Sequence, residues 1–300
     1  MGRILATADI GSNTVHLLVA ESNGATLSRL ENRTEWIALG ETVARAGRIP
    51  PEQADQLVGA LKSFKRTARQ MGAEFLYVFA TEAMRAADNH DEILERLRDT
   101  ADLTVEIISA RREAELSLRG VLLDSPPEMD LILEVGGGSA QIGWVENTRL
   151  IASASAPIGT GRLIAQAGLK NPASAHAVHL AQELVHEQLG TVQIGYRKCA
   201  VASGGVVRGI WRALHPDGDR VLHRKEIEYL EWVSARQPVT RLLKRFGVKP
   251  KRAGTLLPGS IVYRGLMERF ELAELHVSEF GVREGALIEF SRGEIQGCLI

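Results

Sequence analysis

Several kinds of feature are scarce in this chain of 300 residues, and each shortage closes off a class of protein. Its two cysteines, Cys199 and Cys298, stand far apart with no C-x-x-C spacing. That argues against a disulfide framework or a cysteine zinc site and suits a reducing cytoplasm. No apolar run approaches the ~20 residues of a membrane helix, and the opening "MGRILATADIG" is too short for a signal peptide. Neither sign of charge is in excess, since 36 Lys and Arg face 37 Asp and Glu, so no global polarity points to a nucleic acid or a membrane. The two common nucleotide signatures are also missing: there is no G-x-x-x-x-G-K-[ST], and no G-x-G-x-x-G follows the first strand. What is abundant is apolar sequence, at 45%, enough to bury a core in two domains or one large one. The expectation is a soluble, cytoplasmic globular chain.

Apolar runs alternate with helical patterns. "RILATADIG", "VHLLVAE", "AEFLYVFAT" and "TVEIIS" read as strands. "PEQADQLVGALKSFKRTARQMG" carries apolar residues at helical spacing, with Pro51 near its start and Gly72 at its end. "SARREAELSLRGVLL" reads as a helix capped by Ser109. After a break at "SPPE", residues 125–128, "DLILEVGGG" begins a new strand. A long helix through "SAHAVHLAQELVHEQLG", a strand "KCAVASGG" and mostly helical patterning complete the chain. This alternation predicts an α/β class with parallel or mixed sheets.

An internal repeat sharpens the picture. "ADIGSNTVHLLVAESNG" lies over "LEVGGGSAQIGWVENTR" at an offset of 125 residues. Asp9 falls on Glu134, Gly11 on Gly136, Thr14 on Ser139 and Leu17 on Ile142. Each copy reads as a strand ending in an acid, a glycine turn, and a strand running back. The repeat predicts two similar domains facing each other, 1–125 and 126–300, with the last helix packing back on the first. A glycine turn bares backbone N–H groups and makes a concave anion site. Ser12, Asn13 and Thr14 in one copy, and Gly136, Gly137, Gly138 and Ser139 in the other, are the candidate phosphate contacts. Asp9 and Glu134 are the candidate carboxylates for a hard cation such as Mg²⁺ shared with phosphate.

These two segments resemble the phosphate loops of the actin, sugar-kinase and heat-shock ATPase superfamily. More narrowly, the chain resembles the exopolyphosphatase/guanosine pentaphosphate phosphohydrolase family. "ATEAMRAADN" (80–89) is similar to that family's A-T-x-A-x-R-x-A-x-N, and "IISARREAELSLRGV" (107–121) to its I-S-G-x-E-E-A-x-L-x-x-x-G-V. "ASGGVVRGI" (202–210), with Gly204 and Gly205, resembles its G-G-T loop, and "FGVREGAL" (280–287) its G-[LV]-R-E-G close. The resemblance implies two actin-like, ribonuclease H-like domains with mixed central sheets and a site in the cleft between them. It implies Mg²⁺-dependent hydrolysis of a terminal phosphoanhydride, from inorganic polyphosphate or a guanosine pentaphosphate. Glu113 aligns with the family's water-activating glutamate, a role open to a carboxylate at a helix start. Arg85 aligns with the arginine of the A-T motif, whose guanidinium fork suits phosphate. Asn89 would place a phosphate or brace the loop.

The chain also departs from the pattern. Glu134 replaces the second loop's aspartate, Gln141 stands where the family has a carboxylate, and Arg112 stands for the first glutamate of E-E. His16 replaces an arginine, and Val206 the threonine of G-G-T. Three alternatives therefore stand beside polyphosphate hydrolysis: a guanosine pentaphosphate phosphohydrolase, a weakly active or non-catalytic binder of polyphosphate or an alarmone, and a kinase of the same fold. Residues 220–252 carry ten Lys or Arg against three Asp or Glu, either a solvated face or a track for a polyanion. No nucleic-acid or membrane partner is expected, and the sequence leaves room for a homodimer. His176, His179 and His186 share a helix face, which reads as exposed histidine rather than a metal site.

Overall fold

Alternation along one strand decides what covers each face of the first sheet. In the computed structural model, which describes residues 2–126, 128–192, 197, 199–216 and 218–300, strand β1 runs Arg3–Ile10. Ala6, Ala8 and Ile10 point into one cluster and Leu5 into another, as a period of two requires. β1 pairs antiparallel with β2 (Thr14–Ser22), which pairs with β3 (Leu27–Trp36). Helices α1 (Leu39–Ala46) and α2 (Pro51–Gln70) follow, the second with Pro51 at its first turn as its sequence predicts. β4 (Phe75–Ala80) lies parallel to β1, then α3 (Glu82–Ala86) and α4 (His90–Ala101) lead to β5 (Val105–Ile107), parallel to β4. Helix α5 (Ala110–Val121) begins at the expected cap, where Ser109 Oγ accepts the Arg112 N–H at 3.1 Å. Leu57, Leu61 and Phe64 of α2 and Ile93 and Leu97 of α4 pack beneath Ala6, Ala8 and Ile10.

The second unit repeats this plan. β6 (Leu131–Val135), β7 (Ala140–Glu146) and β8 (Arg149–Ala156) form an antiparallel meander. Helices α6 (Thr160–Ala167) and α7 (Ala175–Gly190) precede β9 (Ala200–Ser203), which lies parallel to β6. Then come α8 (Gly204–Leu214), β10 (Val221–His223), α9 (Arg224–Arg236), α10 (Val239–Phe246), α11 (Pro250–Arg269) and β11 (Glu274–Val277). The sheet order is β10-β11-β9-β6-β7-β8, and its run β9-β6-β7-β8 matches β4-β1-β2-β3 of the first unit. Its core joins the odd-numbered residues Leu131, Leu133 and Val135 of β6 to Leu256, Ile261 and Tyr263 of α11. The expected α/β class with two similar units and mixed sheets is what the chain adopts.

The units divide at Leu123 and Asp124, whereas the sequence pattern places one continuous boundary at 125/126. Phe280–Ile300 belongs with the first unit. There α12 (Val282–Ser291) packs on α5, and β12 (Cys298–Leu299) pairs with β4. The contact of α12 with α5 is backbone to backbone. A Cβ at Gly285 would sit 1.8 Å from the Leu116 carbonyl oxygen, and one at Gly120 would sit 2.0 Å from that of Gly281. Among the strands, β3, β10, β11 and β12 have no clear signal in the sequence. β3 is exposed along most of its length and so lacks alternation, and the other three are four residues or shorter. Pro127 and Lys198, at the edges of two expected segments, lie outside the described residues. No helix among the described residues is long and apolar enough to cross a membrane.

Candidate functional site

The two glycine turns are closed by the same hydrogen bond. Gly11 N–H donates to the Thr14 carbonyl at 3.0 Å, and Gly136 N–H donates to the Ser139 carbonyl at 2.9 Å. The acids preceding them occupy equivalent registers, Asp9 opposite His16 and Glu134 opposite Gln141. The structure adds a further correspondence. His16 Nε2 lies 2.7 Å from Thr14 Oγ1, and its Nδ1 lies 2.8 Å from Thr34 Oγ1 on β3. Gln141 Nε2 donates to Ser139 Oγ at 3.2 Å and to Ser155 Oγ on β8 at 3.0 Å. In each unit, one polar side chain on the second strand ties the loop hydroxyl to a hydroxyl on the third. Gln141 is therefore the counterpart of His16, buried, with its Oε1 lacking a hydrogen-bond partner among the described residues.

The first loop is braced from several sides. Ser12 is buried, and its Oγ donates to Glu82 Oε2 at 3.0 Å. Its carbonyl accepts from Gly40 N–H at 2.7 Å, and the Asn13 carbonyl accepts from Ile37 and Ala38 at 3.2 and 3.0 Å. In the second loop the carbonyls turn toward the start of α6. Thr160 N–H donates to Gly136, Gly161 and Arg162 N–H to Gly137, and Gly159 N–H to Gly138, at 2.8–3.2 Å. Arg162 Nε adds a bond to Gly138 at 3.0 Å. The packing is close enough that a Cβ at Gly159 would sit 2.4 Å from the Gly138 backbone. With the carbonyls so engaged, the opposite side of these peptides, the N–H side, is what an anion would meet.

Arg85 and Glu113 meet within the first unit. β4 ends at Ala80, and Thr81 N–H donates to the Ile10 carbonyl at 3.1 Å, which sets α3 beside the end of β1. From α3, Arg85 donates through Nη1 to the Ile108 carbonyl at 2.6 Å. Both terminal nitrogens reach Glu113 Oε2 at 3.1 Å. Glu113 stands in the first turn of α5, the helix whose Leu116 packs with Leu5 on the face of β1 that alternation gives also to Thr7 and Asp9. Asn89 takes the bracing role: Ile49 N–H donates to its Oδ1 at 2.9 Å, and its Nδ2 donates to the Ile49 carbonyl at 3.0 Å.

In the second unit, Gly204 and Gly205 open α8 directly after β9. Gly204 has φ +92°, and a Cβ there would sit 2.9 Å from Glu134 Oε1, so only glycine fits. Ser203 Oγ donates to Glu134 Oε2 at 3.1 Å, which fixes the carboxylate at the end of β6. Two residues that no sequence motif marks complete this corner. The Arg252 guanidinium lies 2.8 Å from where a Cβ of Gly205 would be. The fully buried Tyr263 hydroxyl accepts the Val135 N–H at 3.3 Å, and burial pushes this phenol's pKa up. The one hint for Arg252 is its place at the end of the basic run. Tyr263 looks like any core aromatic.

No group of three or more His, Cys, Asp or Glu side chains among the described residues could hold a metal ion by itself. Mg²⁺ is ordinarily bound by one or two carboxylates together with substrate phosphates. Each loop carries one carboxylate of this oxygen-donor type, Asp9 in the first unit and Glu134 in the second. His176, His179 and His186 are exposed, and His179 lies 3.2 Å from Glu183.

A strand, glycine turn and returning strand, present twice and joined in one unit to a carboxylate–guanidinium pair, define a class of phosphate-handling α/β protein. The model of the Ppx/GppA phosphatase family matches residues 18–292, and the chain belongs to that family. It is similar to exopolyphosphatase 1 of Mycobacterium leprae, 24% identical over 99% of this chain and 92% of that protein. Exopolyphosphatase 2 of Mycobacterium tuberculosis is 27% identical over 96% of this chain and 98% of its own. Among solved structures, the Aquifex aeolicus Ppx/GppA family member superimposes with a TM-score of 0.81 at 26% identity, covering 98% of this chain and 99% of that one.

Proposed function

We propose that the chain hydrolyses the terminal phosphoanhydride of inorganic polyphosphate and releases orthophosphate. The observation that carries this reading is the Arg85–Glu113 pair at the start of α5, the helix packed on the face of β1 that includes Asp9. The relatives named exopolyphosphatases support the substrate class. In this reading Glu113 orients a water and takes its proton as the oxygen attacks the terminal phosphorus. The bond from that phosphorus to the bridging oxygen breaks, and the chain leaves one phosphate shorter. Arg85 exchanges part of its hold on Glu113 for a phosphate oxygen, which frees the carboxylate for the water. Backbone N–H groups of the glycine loops, with Thr14 and Ser139, hold phosphate oxygens, as do Gly204 and Gly205 with the neighbouring Arg252. Asn13 is a further proposed phosphate contact, while Ser12, whose hydroxyl is directed to Glu82, acts through the shape of its loop. In each unit the loop carboxylate, Asp9 or Glu134, would be the contact for Mg²⁺, which when bound would supply charge neutralisation on phosphate. A guanosine pentaphosphate ends in the same kind of bond and would use the same groups. Free thiols at Cys199 and Cys298 support a cytoplasmic setting.

Gln141 favours one second reading, a binder with little or no turnover. Its amide spans two hydroxyls and carries no charge, so it can serve neither as a base nor as an anionic ligand. A glutamate there could accept from both serine hydroxyls and place a carboxylate beside the loop. Under the hydrolase reading, wild type releases many phosphates per protein from polyphosphate, and Gln141→Glu changes the rate by about tenfold or less. Binding without release by wild type, with turnover appearing only in Gln141→Glu, would establish the binder instead.

A further inference from the structure

The phosphate loops leave unused the most basic stretch of the chain. From Tyr229 to Arg252 there are seven Lys or Arg and a single acid, Glu231. Glu231 is buried, bonded to Arg264 at 2.7 Å and to Gln182 at 2.7 Å, and so adds no negative charge to the surface. α10 explains how the rest are displayed. Leu242 is fully buried, and Val239, Leu243, Phe246 and Val248 pack with it against Val233 and Ala253. That apolar stripe turns Arg241, Lys244 and Arg245 outward, where all three are exposed.

Aromatic rings on α9 extend the surface. The Arg245 guanidinium lies 5.7 Å from the centre of the Tyr229 ring and donates to the Tyr229 hydroxyl. Arg236 lies 4.8 Å over Trp232. Both rings are exposed. Each ring restrains its guanidinium, and a restrained fork has less entropy to lose when it meets phosphate oxygens. Among the described residues no carboxylate pairs with Arg236, Arg241, Lys244, Arg245 or Lys249, whereas the neighbouring Glu228 faces Arg224 at 3.6 Å and Glu268 bonds Arg264 at 2.7 Å. The run also has a direction. Beyond α10, Lys249 precedes α11, and Arg252 in the first turn of that helix lies against Gly205 at the start of α8. Cations thus lead from an open surface to the phosphate-contacting corner of the same unit.

We propose that the α9–α10 face is a holding surface for the body of a long polyphosphate chain that passes the Gly204–Gly205 corner of the same unit. It rests on the hydrolase reading for its substrate, but the binding it describes does not require turnover. Five cations without a carboxylate partner among the described residues, set against only two exposed rings, favour an inorganic chain over single-stranded RNA, whose bases need a run of stacking platforms. The surface would give long chains an advantage that short ones lack, through local concentration of a polyanion.

The test is the variant Arg241→Ala/Lys244→Ala/Arg245→Ala, whose three side chains are exposed and whose fold is checked by thermal melting. Its KM for long-chain polyphosphate is expected to rise about tenfold, with kinetics on tripolyphosphate unchanged. Direct binding of long-chain polyphosphate should weaken in step, and the log–log salt dependence of that binding should flatten by about 2. Unchanged binding of the long chain would overturn the proposal. So would an equal loss on tripolyphosphate, or single-stranded RNA bound more tightly than polyphosphate and lost in the variant. If no substrate is turned over but the binding difference persists, the hydrolase reading fails and the holding surface stands.

Discussion

Glu113→Gln is expected to lower kcat for phosphate release by about 10²- to 10⁴-fold, the range that a positioned general base contributes. Glutamine keeps the length and shape of the side chain, so α5 should still start at Ser109 and Arg85 can still donate to the amide oxygen. What is lost is the proton acceptor. KM should change by no more than a few-fold, because the loops and cations proposed to hold phosphate remain. Arg85 separates this role from simple charge neutralisation. It reaches Glu113 with both terminal nitrogens and the Ile108 carbonyl with one, so under the proposed mechanism it would position the base as well as contact phosphate. A steady-state comparison of wild type and Glu113→Gln on polyphosphate reads the effect directly. A kcat within about threefold of wild type would remove Glu113 from the chemistry, since a base of this kind contributes far more.

The second large effect is structural. Gly285→Ala should destabilise the first unit by roughly 3 kcal/mol or more, at the upper end of what overpacking costs, because the new methyl meets a backbone carbonyl that cannot rotate away. Its Cβ would fall 1.8 Å from the Leu116 oxygen, so α12 must move off α5. For a unit of this size the melting temperature should fall by about 10 °C. Activity should fall as well, because α5 carries Glu113. The same substitution at Gly59 provides the contrast. That glycine lies inside α2 with nothing within 4 Å of where its Cβ would be, so Gly59→Ala should raise stability by up to about 1 kcal/mol. Opposite signs from one chemical change would tie the effect to the helix crossing rather than to alanine itself. A Gly285→Ala protein that melts with wild type would contradict the close crossing of α5 and α12.

The repeat is legible because its signal is local: an acid, a glycine turn and an apolar return strand leave the same pattern at 9–21 and 134–146. The start signals at Pro51 and Ser109 are equally local, and α2 begins at Pro51 and α5 directly after Ser109. What the sequence conceals depends on partners far along the chain. β3 cannot be read because its two faces are both largely exposed, yet its Thr34 is the residue that holds His16. Gln141 looks like a lost carboxylate when judged by position alone. In the fold it does the structural work that His16 does in the other unit, bridging a loop hydroxyl to a third-strand hydroxyl. Arg112 likewise departs from the family pattern and has a role of its own, pairing with the buried Glu289 of α12 and so joining the start of α5 to the C-terminal helix. Arg252 can be counted in a basic run, but only the packing of α11 on α8 puts it at Gly205.

The most direct test is phosphate release by wild type with Mg²⁺ present and absent, from polyphosphate, guanosine pentaphosphate and ATP in parallel. Multiple-turnover release of orthophosphate from polyphosphate, dependent on Mg²⁺ and faster than from either nucleotide, is the predicted result. Tight binding of polyphosphate with no release from any of the three would contradict it.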